Sequence, residues 1–125
     1  MPERTTRNQV VILVVDGEVV ARNLAANKLH REGYTVLAAA HGRETLDLLR
    51  DFDGKIDLLI ADLDTAKMDG LELCDAVAQA SPETRLCAMS SDPAAAPRAA
   101  RHNVPFLIKP LDPELLRQRF EDFLT

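Results

Sequence analysis

Residues 10–16 read Val-Val-Ile-Leu-Val-Val-Asp, an apolar run that ends in a single acid. A continuous run of β-branched and aliphatic residues is typical of a strand that is buried on both faces of a parallel sheet. Three further apolar runs lead into one polar residue in the same way, residues 56–61 into Asp62, residues 86–89 into Ser90 and residues 106–108 into Lys109. We therefore predict four strands whose carboxyl ends carry polar side chains of different chemistry.

The segments between these runs have the periodicity of amphipathic helices. We predict a first helix that ends at Gly33, a second strand over residues 34–39, a second helix over residues 42–52 and a third with the N-cap Asp69. A fifth helix begins at Asp112-Pro113. The residues expected to face the core are Ala21, Leu24, Ala25 and Leu29 in the first helix, Leu46 and Leu49 in the second, Leu71, Cys74 and Ala78 in the third, and Leu116, Phe120 and Phe123 in the fifth.

The segment after Ser90 is the least regular part of the chain. Asp92-Pro93 is a plausible cap, but Pro97 falls where the interior of a helix would lie, which costs about 3 kcal/mol. We therefore predict that the fourth helix is short or broken. The alternation of strands and helices as a whole predicts an α/β fold with parallel strands.

The polar residues that follow the strands form a candidate site. Because the carboxyl ends of parallel strands lie at one edge of the sheet, we expect Asp16, Asp62, Ser90 and Lys109 to meet in one crevice. Two carboxylates can hold a divalent cation, and a lysine with a hydroxyl can bind a phosphoryl group. The pattern indicates a site that handles phosphoryl groups.

Composition narrows the class of protein. At 125 residues the chain is expected to form one domain, and its net charge of -5 argues against direct binding of nucleic acid. No apolar run approaches the roughly 20 residues that span a bilayer, and residues 1–9 lack a secretion signal, so we expect a cytoplasmic protein with no membrane contact.

The cysteines and histidines do not have the spacing of metal ligands. Cys74 and Cys87 are expected to be reduced, packed thiols, and His30, His41 and His102 to have surface or capping roles.

Four short segments occur in order at the predicted strand ends. They are residues 12–18 (Ile-Leu-Val-Val-Asp-Gly-Glu), residues 62–73 (Asp-Leu-Asp-Thr-Ala-Lys-Met-Asp-Gly-Leu-Glu-Leu), residues 89–91 (Met-Ser-Ser) and residues 106–110 (Phe-Leu-Ile-Lys-Pro). From Val10 to Leu124 the chain resembles the receiver domain of bacterial two-component response regulators. The resemblance implies a flavodoxin-like, doubly wound five-stranded parallel sheet of order 2-1-3-4-5 with helices on both faces. We expect residues 1–9 to be a flexible N-terminal segment and residues 10–125 to be a single receiver domain.

The resemblance also implies a role for each site residue. Asp62 would accept a phosphoryl group from a phosphohistidine of a sensor histidine kinase or histidine phosphotransferase, without independent enzymatic turnover. Mg²⁺ would be held by Asp16, Asp62 and the backbone carbonyl of Asp64, while Lys109 and Ser90 would bind the phosphoryl oxygens. Ser90 and Phe106 would act as the switch that signals to a downstream protein target.

Some residues depart from the family's pattern. Gly17 replaces the second of two adjacent acids, which predicts weaker binding of Mg²⁺. Glu18 or Asp64 could restore part of the negative charge; alternatively, Glu18 sits in the first turn of its helix and Asp64 is a solvated loop residue. Ala66 replaces a loop proline, and Asn103 replaces a glycine but can still adopt a left-handed helix cap.

Other hypotheses remain open from the sequence. The chain could be an atypical receiver that acts through protein interaction without phosphorylation. It could be a phosphatase of the haloacid dehalogenase type, for which Thr65 in the segment 62–65 stands one position too early. Asp16 and Asp62 could simply cap helices, and Phe106 could simply pack at the start of a strand. The cognate kinase, the target and the formation of a homodimer are not decided.

Overall fold

The structure of the chain is a computed structural model that describes residues 10–64 and 69–124. Across these residues five strands alternate with five helices. The elements are β1 (Val11–Val15), α1 (Val19–Arg31), β2 (Thr35–Ala39), α2 (Gly42–Asp51), β3 (Leu58–Asp62), α3 (Gly70–Ala80), β4 (Arg85–Ser90), α4 (Ala96–Arg101), β5 (Phe106–Ile108) and α5 (Pro113–Arg119). The predicted flexible segment, residues 1–9, and Ala66 lie outside the described residues.

The strands form one parallel sheet in the order β2-β1-β3-β4-β5, which confirms the predicted architecture. The order of the strands reverses at β1, and in such sheets the ligand crevice lies beyond the carboxyl ends of the strands at this point. Val15 pairs with Ala61, so the residues that follow them, Asp16 and Asp62, leave neighbouring strands side by side. The register of β1 and β3 therefore places two acids at the crevice.

Each face of the sheet carries its own hydrophobic core. Alternate residues of β1 face opposite sides, and α1 and α5 cover one face while α2, α3 and α4 cover the other. β1 and β3 are buried along their whole length, as their continuous apolar sequences predict. Both strands that deliver the acids are therefore fixed from both sides.

The predicted helix faces are correct only in part. Leu24 is 56% exposed and Leu46 is 37% exposed, and Ala78 is also exposed. Each step along a helix turns the side chain by about 100°, so residues at the edge of a narrow buried stripe point partly toward solvent. These three residues lie at such edges. Four predicted positions are buried, Ala25 and Leu29 in α1 and Leu71 and Cys74 in α3. Thr45 in α2 and Leu73 and Val77 in α3 are also buried, although the periodicity did not single them out.

Helix α5 is shorter than predicted. It ends at Arg119, so Phe120 and Phe123 lie beyond it and do not continue its stack. Both rings still pack against the core under α1 and α5, with their centroids 6.0 Å apart in an edge-to-face arrangement. The predicted contacts with the core are therefore made by turns that follow the helix.

The fourth helix is short, as predicted. A 3₁₀ turn, Pro93–Ala95, with its N-cap Asp92, precedes the six residues of α4. Pro97 lies in the first turn of α4 and not in its interior, so its missing N–H removes no helical hydrogen bond. After α4, Asn103 adopts the left-handed conformation expected of it, with φ 58°.

The cysteines and two of the histidines have the structural roles expected from the sequence. Cys74 and Cys87 are free and buried, and burial raises the pKa of each thiol to about 12. His41 caps α2 through Nδ1, and Nδ1 of the exposed His102 lies 3.0 Å from Asp75 Oδ2.

No helix in the described part of the chain is both long and apolar enough to cross a membrane.

The start of α3 packs closely against the end of β3. The carboxylate of Asp69 caps the helix by accepting hydrogen bonds from the N–H groups of Leu71 (3.0 Å) and Glu72 (3.1 Å). A Cβ atom on Gly70 would lie only 2.6 Å from the carbonyl oxygen of Asp62 and 2.6 Å from Leu63 Cδ2. Glycine is therefore required at position 70 for the helix to approach the residue that ends β3.

We predict that Gly70→Ala lowers the free energy of unfolding by about 1–3 kcal/mol, because the added methyl group must displace backbone. Urea unfolding followed by circular dichroism measures the change. Gly42→Ala is the matched control, since its Cβ would meet Leu73 Cδ1 at an ordinary 3.6 Å. This control should stay within about 0.5 kcal/mol of the wild type. Equal stability of the two variants would show that the close packing of α3 against the end of β3 does not require glycine at position 70.

Candidate functional site

The carboxyl edge of the sheet carries an open cavity of about 330 Å³. Asp16 follows β1 and Asp62 ends β3, and each is only 1% exposed. Lys109 follows β5 and reaches the cavity from the other side. The residues that line the cavity are Asp16, Gly17, Glu18, Ala21, Asp62, Asp64 and Lys109. Charged side chains of both signs thus surround a space that solvent can enter.

The ammonium group of Lys109 lies among three carboxylates. Its Nζ is 2.6 Å from Asp62 Oδ1, 3.1 Å from Asp16 Oδ2 and 3.3 Å from Asp64 Oδ2. Burial opposes the charged form, but the hydrogen bonds to Asp62 and Asp16 outweigh it and raise the pKa of Lys109. The structure therefore brings Asp16, Asp62 and Asp64 together around the Lys109 ammonium.

Backbone groups hold the two buried acids in place. Asp16 Oδ1 accepts a hydrogen bond from the Glu18 N–H at 2.9 Å, and Asp62 Oδ1 accepts one from the Asp64 N–H at 3.0 Å. Burial raises the pKa of Asp16, an effect that the charge of Asp62 reinforces and that the bonds from Glu18 and Lys109 only partly offset. Burial thus disfavours the charged form of Asp16, and a nearby cation such as the Lys109 ammonium favours it.

Ser90 is oriented toward Asp64. Its hydroxyl donates to Asp64 Oδ1 at 2.5 Å, and its oxygen accepts from the Asp92 N–H at 2.9 Å. Ser91 donates to Asp64 Oδ2 through both its N–H (2.9 Å) and its hydroxyl (3.0 Å). Asp64 therefore joins the loop after β3 to the loop after β4.

Asp64 is an exposed loop residue, as one hypothesis held, but it also accepts hydrogen bonds from two serines. Burial opposes ionisation of Asp64, but the hydrogen bonds from Ser90 and Ser91 and the charge of Lys109 hold its pKa below the usual value. Ser91 was not among the predicted site residues. The sequence does contain an acid two positions after Asp62 and two adjacent serines at the end of the fourth predicted strand. The direction of the Asp64 side chain, however, cannot be inferred from this spacing.

Glu18 has the structural role that the sequence offered as one alternative. It is the N-cap of α1, where its carboxylate accepts from the N–H groups of Val20 (3.2 Å) and Ala21 (3.1 Å). These bonds lower the pKa of Glu18. Gly17, between the two acids, is exposed and brings no side-chain oxygen to the cavity.

Phe106 lies at the start of β5 and is partly buried. It pairs with Ala88 of β4 and packs against the core that α2, α3 and α4 cover. It is therefore connected to Ser90 through the pairing of β4 with β5, in which Ser90 faces Ile108.

The carboxylates at this edge are the candidate ligands for Mg²⁺. Among the residues that the structure describes, no group of three or more acidic, histidine or cysteine side chains is arranged so that it could hold a metal ion. The oxygens of Asp64 accept hydrogen bonds from the serines, and Lys109 lies between the carboxylates. Mg²⁺, however, is typically bound by only one or two carboxylates with water and phosphate oxygens, so Asp16 and Asp62 fit it. Three carboxylates and one ammonium leave a local charge of -2, which favours a cation.

Comparison with known proteins identifies the family. The family model described as the response regulator receiver domain matches residues 12–121. This chain belongs to the response regulator receiver domain family. The resemblance found in the four sequence segments is thereby confirmed, and the family favours a receiver over a phosphatase of the haloacid dehalogenase type.

Individual relatives agree with this family. The chain is 34% identical over 116 residues to the transcriptional regulatory protein GlrR of Escherichia coli strain K12, covering 90% of this chain and 26% of GlrR. It is 33% identical over 121 residues to a chemotaxis protein CheY homolog of Campylobacter jejuni, covering 90% of this chain and 91% of that protein. The chain thus spans about a quarter of the length of the first curated relatives it matches.

A solved structure of a relative has the same fold. The receiver domain of NtrX from Brucella abortus superposes with a TM-score of 0.76 at 30% sequence identity, covering 90% of this chain and 97% of that one. The order of strands that delivers Asp16, Asp62 and Lys109 to one edge is therefore common to both chains.

We predict that Lys109→Met lowers the free energy of unfolding at pH 7 by about 2–4 kcal/mol, because the buried carboxylates lose their counter-charge. The double variant Lys109→Met with Asp62→Asn should regain part of this loss, since it removes one uncompensated charge. Lys28→Met is the control, because the Lys28 ammonium binds a backbone carbonyl, that of Leu111, at 3.0 Å. Urea unfolding provides the values. If Lys109→Met were no less stable than Lys28→Met, the ammonium would not be the counter-charge of the site.

Proposed function

We propose that this chain is a cytoplasmic phosphoacceptor that takes a phosphoryl group on Asp62 from a phosphohistidine of a sensor histidine kinase or histidine phosphotransferase. The observation that supports this most strongly is the buried Asp62 carboxylate, which ends β3 at an open cavity with the Lys109 ammonium 2.6 Å away. The domain then signals to a downstream protein target and does not itself turn over a substrate.

The chemistry is an attack of a carboxylate oxygen on phosphorus. The bond from phosphorus to the histidine nitrogen breaks as the bond to Asp62 forms, which leaves an acyl phosphate on Asp62 and a free imidazole on the partner. Such transfer depends mainly on positioning and on neutralising the phosphoryl oxygens. Lys109 supplies a positive charge beside the acceptor, and the N–H of Asp64 orients the acceptor carboxylate.

Mg²⁺, when bound, supplies further neutralisation of the acceptor and phosphoryl oxygens. Asp16 and Asp62 would hold the ion, with the backbone carbonyl of Asp64 as the third protein ligand that we propose. Gly17 offers no carboxylate where the family usually has one, so we expect weaker binding of the ion than in a receiver with two adjacent acids.

Ser90 and Phe106 form the proposed switch. A phosphoryl group adds a charge of about -1.5 to -2 beside Lys109 and Ser90. Ser90 ends β4, and Phe106 begins the paired strand β5. We propose that the new charge draws the Ser90 hydroxyl to the phosphoryl oxygens and shifts Phe106 inward, which biases two existing arrangements of this surface.

Two observations favour a second candidate function. Gly17 is exposed and contributes no ligand oxygen, and Ser90 already bonds to Asp64. These features would also suit an atypical receiver that acts through protein interaction without phosphorylation. Direct measurement of the phosphoryl adduct separates the two candidates.

The surface beside the cavity is suited to a protein donor. Val20 and Leu24 of α1 are 60% and 56% exposed, although both are large and apolar. A hollow of about 240 Å³ extends from Leu24 to Pro110 and Leu111, and the acceptor cavity lies next to it. Exposed apolar residues at such a position are typical of a surface that contacts a partner.

We predict that incubation with acetyl phosphate and Mg²⁺ adds about 80 Da to the wild-type chain but not to Asp62→Asn, because the amide lacks the nucleophilic oxygen. Intact-mass spectrometry measures the adduct. Asp112→Asn, which retains a cap for α5 at an exposed site, should be modified like the wild type. An adduct on Asp62→Asn would place the acceptor elsewhere, and absence of an adduct on the wild type would favour the interaction domain.

We predict that Leu24→Glu slows transfer from a phosphorylated histidine phosphotransferase that acts on the wild type, by about tenfold or more, because it places a charge in the apolar contact. Its modification by acetyl phosphate should remain unchanged. Leu46→Glu, at an exposed leucine of α2, is the control. Gel assays of transfer provide both rates. Equal rates for the two glutamate variants would mean that α1 does not receive the donor.

A further inference from the structure

The Asp64 carboxylate gathers the donors of two loops. It accepts hydrogen bonds from the Ser90 hydroxyl (2.5 Å), the Ser91 N–H (2.9 Å) and the Ser91 hydroxyl (3.0 Å), and the Lys109 ammonium lies 3.3 Å from Oδ2. Three uncharged donors and one cation thus converge on a single anionic group. This set is what a small tetrahedral or planar oxyanion requires.

The same donors are needed by the phosphoryl group in the proposed function. A phosphoryl group on Asp62 would lie beside Lys109 and would bond to Ser90. A serine has one hydroxyl proton to donate, so Ser90 cannot donate to Asp64 and to a phosphoryl oxygen at the same time. The Asp64 carboxylate is also close enough to repel a phosphoryl group, because Asp64 Oδ2 and Asp62 Oδ1 lie 3.3 Å and 2.6 Å from the same Lys109 Nζ. The two anions therefore compete for one set of partners.

We propose that Asp64 is an internal competitor of the phosphoryl group: its carboxylate occupies Ser90, Ser91 and Lys109 in the unphosphorylated chain and must withdraw when Asp62 is phosphorylated. Asp64 is a positioning residue in this role, because it acts through the serines and the lysine. The proposal rests on the proposed function of Asp62 as acceptor. It differs from the hypothesis that Asp64 replaces the missing acid at Gly17 as a helper in binding the cation.

The two roles of Asp64 predict opposite results. If Asp64 competes, its removal frees the donors and strengthens the binding of a phosphoryl analogue. The gain should be about tenfold or more, since one hydrogen bond to a charged group that need not be broken is worth about that factor. If Asp64 instead helps to bind the cation, its removal weakens binding of the analogue.

The experiment is a titration of beryllofluoride, a stable analogue of the phosphoryl group, in the presence of Mg²⁺. The amide resonances of Ser91 and Phe106 report on binding by NMR. Asp64→Ala is compared with Asp92→Asn, which removes one negative charge from the neighbouring loop while retaining a cap for the 3₁₀ turn. We expect Asp64→Ala to reach half saturation at a beryllofluoride concentration about tenfold lower than the wild type, and Asp92→Asn to remain within about twofold.

Equal or weaker binding by Asp64→Ala would overturn the proposal while the function of Asp62 stands, because the wild type would still bind. Binding by neither protein would overturn the proposed function and the competitor together. A measurement without ligand provides a second test. The Ser91 amide should exchange with solvent at least about tenfold faster in Asp64→Ala than in the wild type or Asp92→Asn, and an unchanged rate would also overturn the proposal.

Discussion

The ion cluster around Lys109 is the interaction on which the functional edge of this domain depends. Three carboxylates at the ends of β1 and β3 approach one ammonium, and two of these carboxylates are almost fully buried. Without that cation, the buried carboxylates of Asp16 and Asp62 would lie at the ends of neighbouring strands with no counter-charge between them. The same cation lies where a phosphoryl group would arrive. We therefore propose that the stability of this edge and the reactivity of Asp62 as an acceptor both rely on the Lys109 side chain.

The rest of the fold fixes this cluster in space. The register of β1 with β3 places Asp16 beside Asp62, and Gly70 allows the start of α3 to pack closely against the end of β3. The pairing of β4 with β5 brings Lys109 to the same edge, since the Lys109 N–H donates to the Ser90 carbonyl at 2.9 Å. Two residues in the loops at this edge affect how it would bind a phosphoryl group and Mg²⁺. Gly17 removes a ligand oxygen, and Asp64 places an anion on the donors that a phosphoryl group would use.

Much of this could be predicted from the sequence because strands leave strong signals. Long apolar runs that end in single polar residues predict both the strands of the sheet and the residues at its carboxyl edge. The left-handed conformation of Asn103 and the N-cap role of Asp69 follow from local backbone chemistry. Leu24 and Leu46 were misplaced because periodicity does not show how wide a buried stripe is. The role of Asp64 could not be predicted, because the direction of a loop side chain depends on a second loop that is distant in sequence.

Titration of the Lys109 side chain by NMR tests most directly whether the ammonium holds the cluster together. The carbon resonance beside Nζ reports on protonation of this one residue as the pH is raised. We expect Lys109 to keep its proton at about pH 11, where a free lysine, with a pKa of about 10.4, is mostly neutral. Loss of the proton at or below the pKa of a free lysine would show that Lys109 is not bound by Asp16 and Asp62, and the proposed acceptor site would lose its basis.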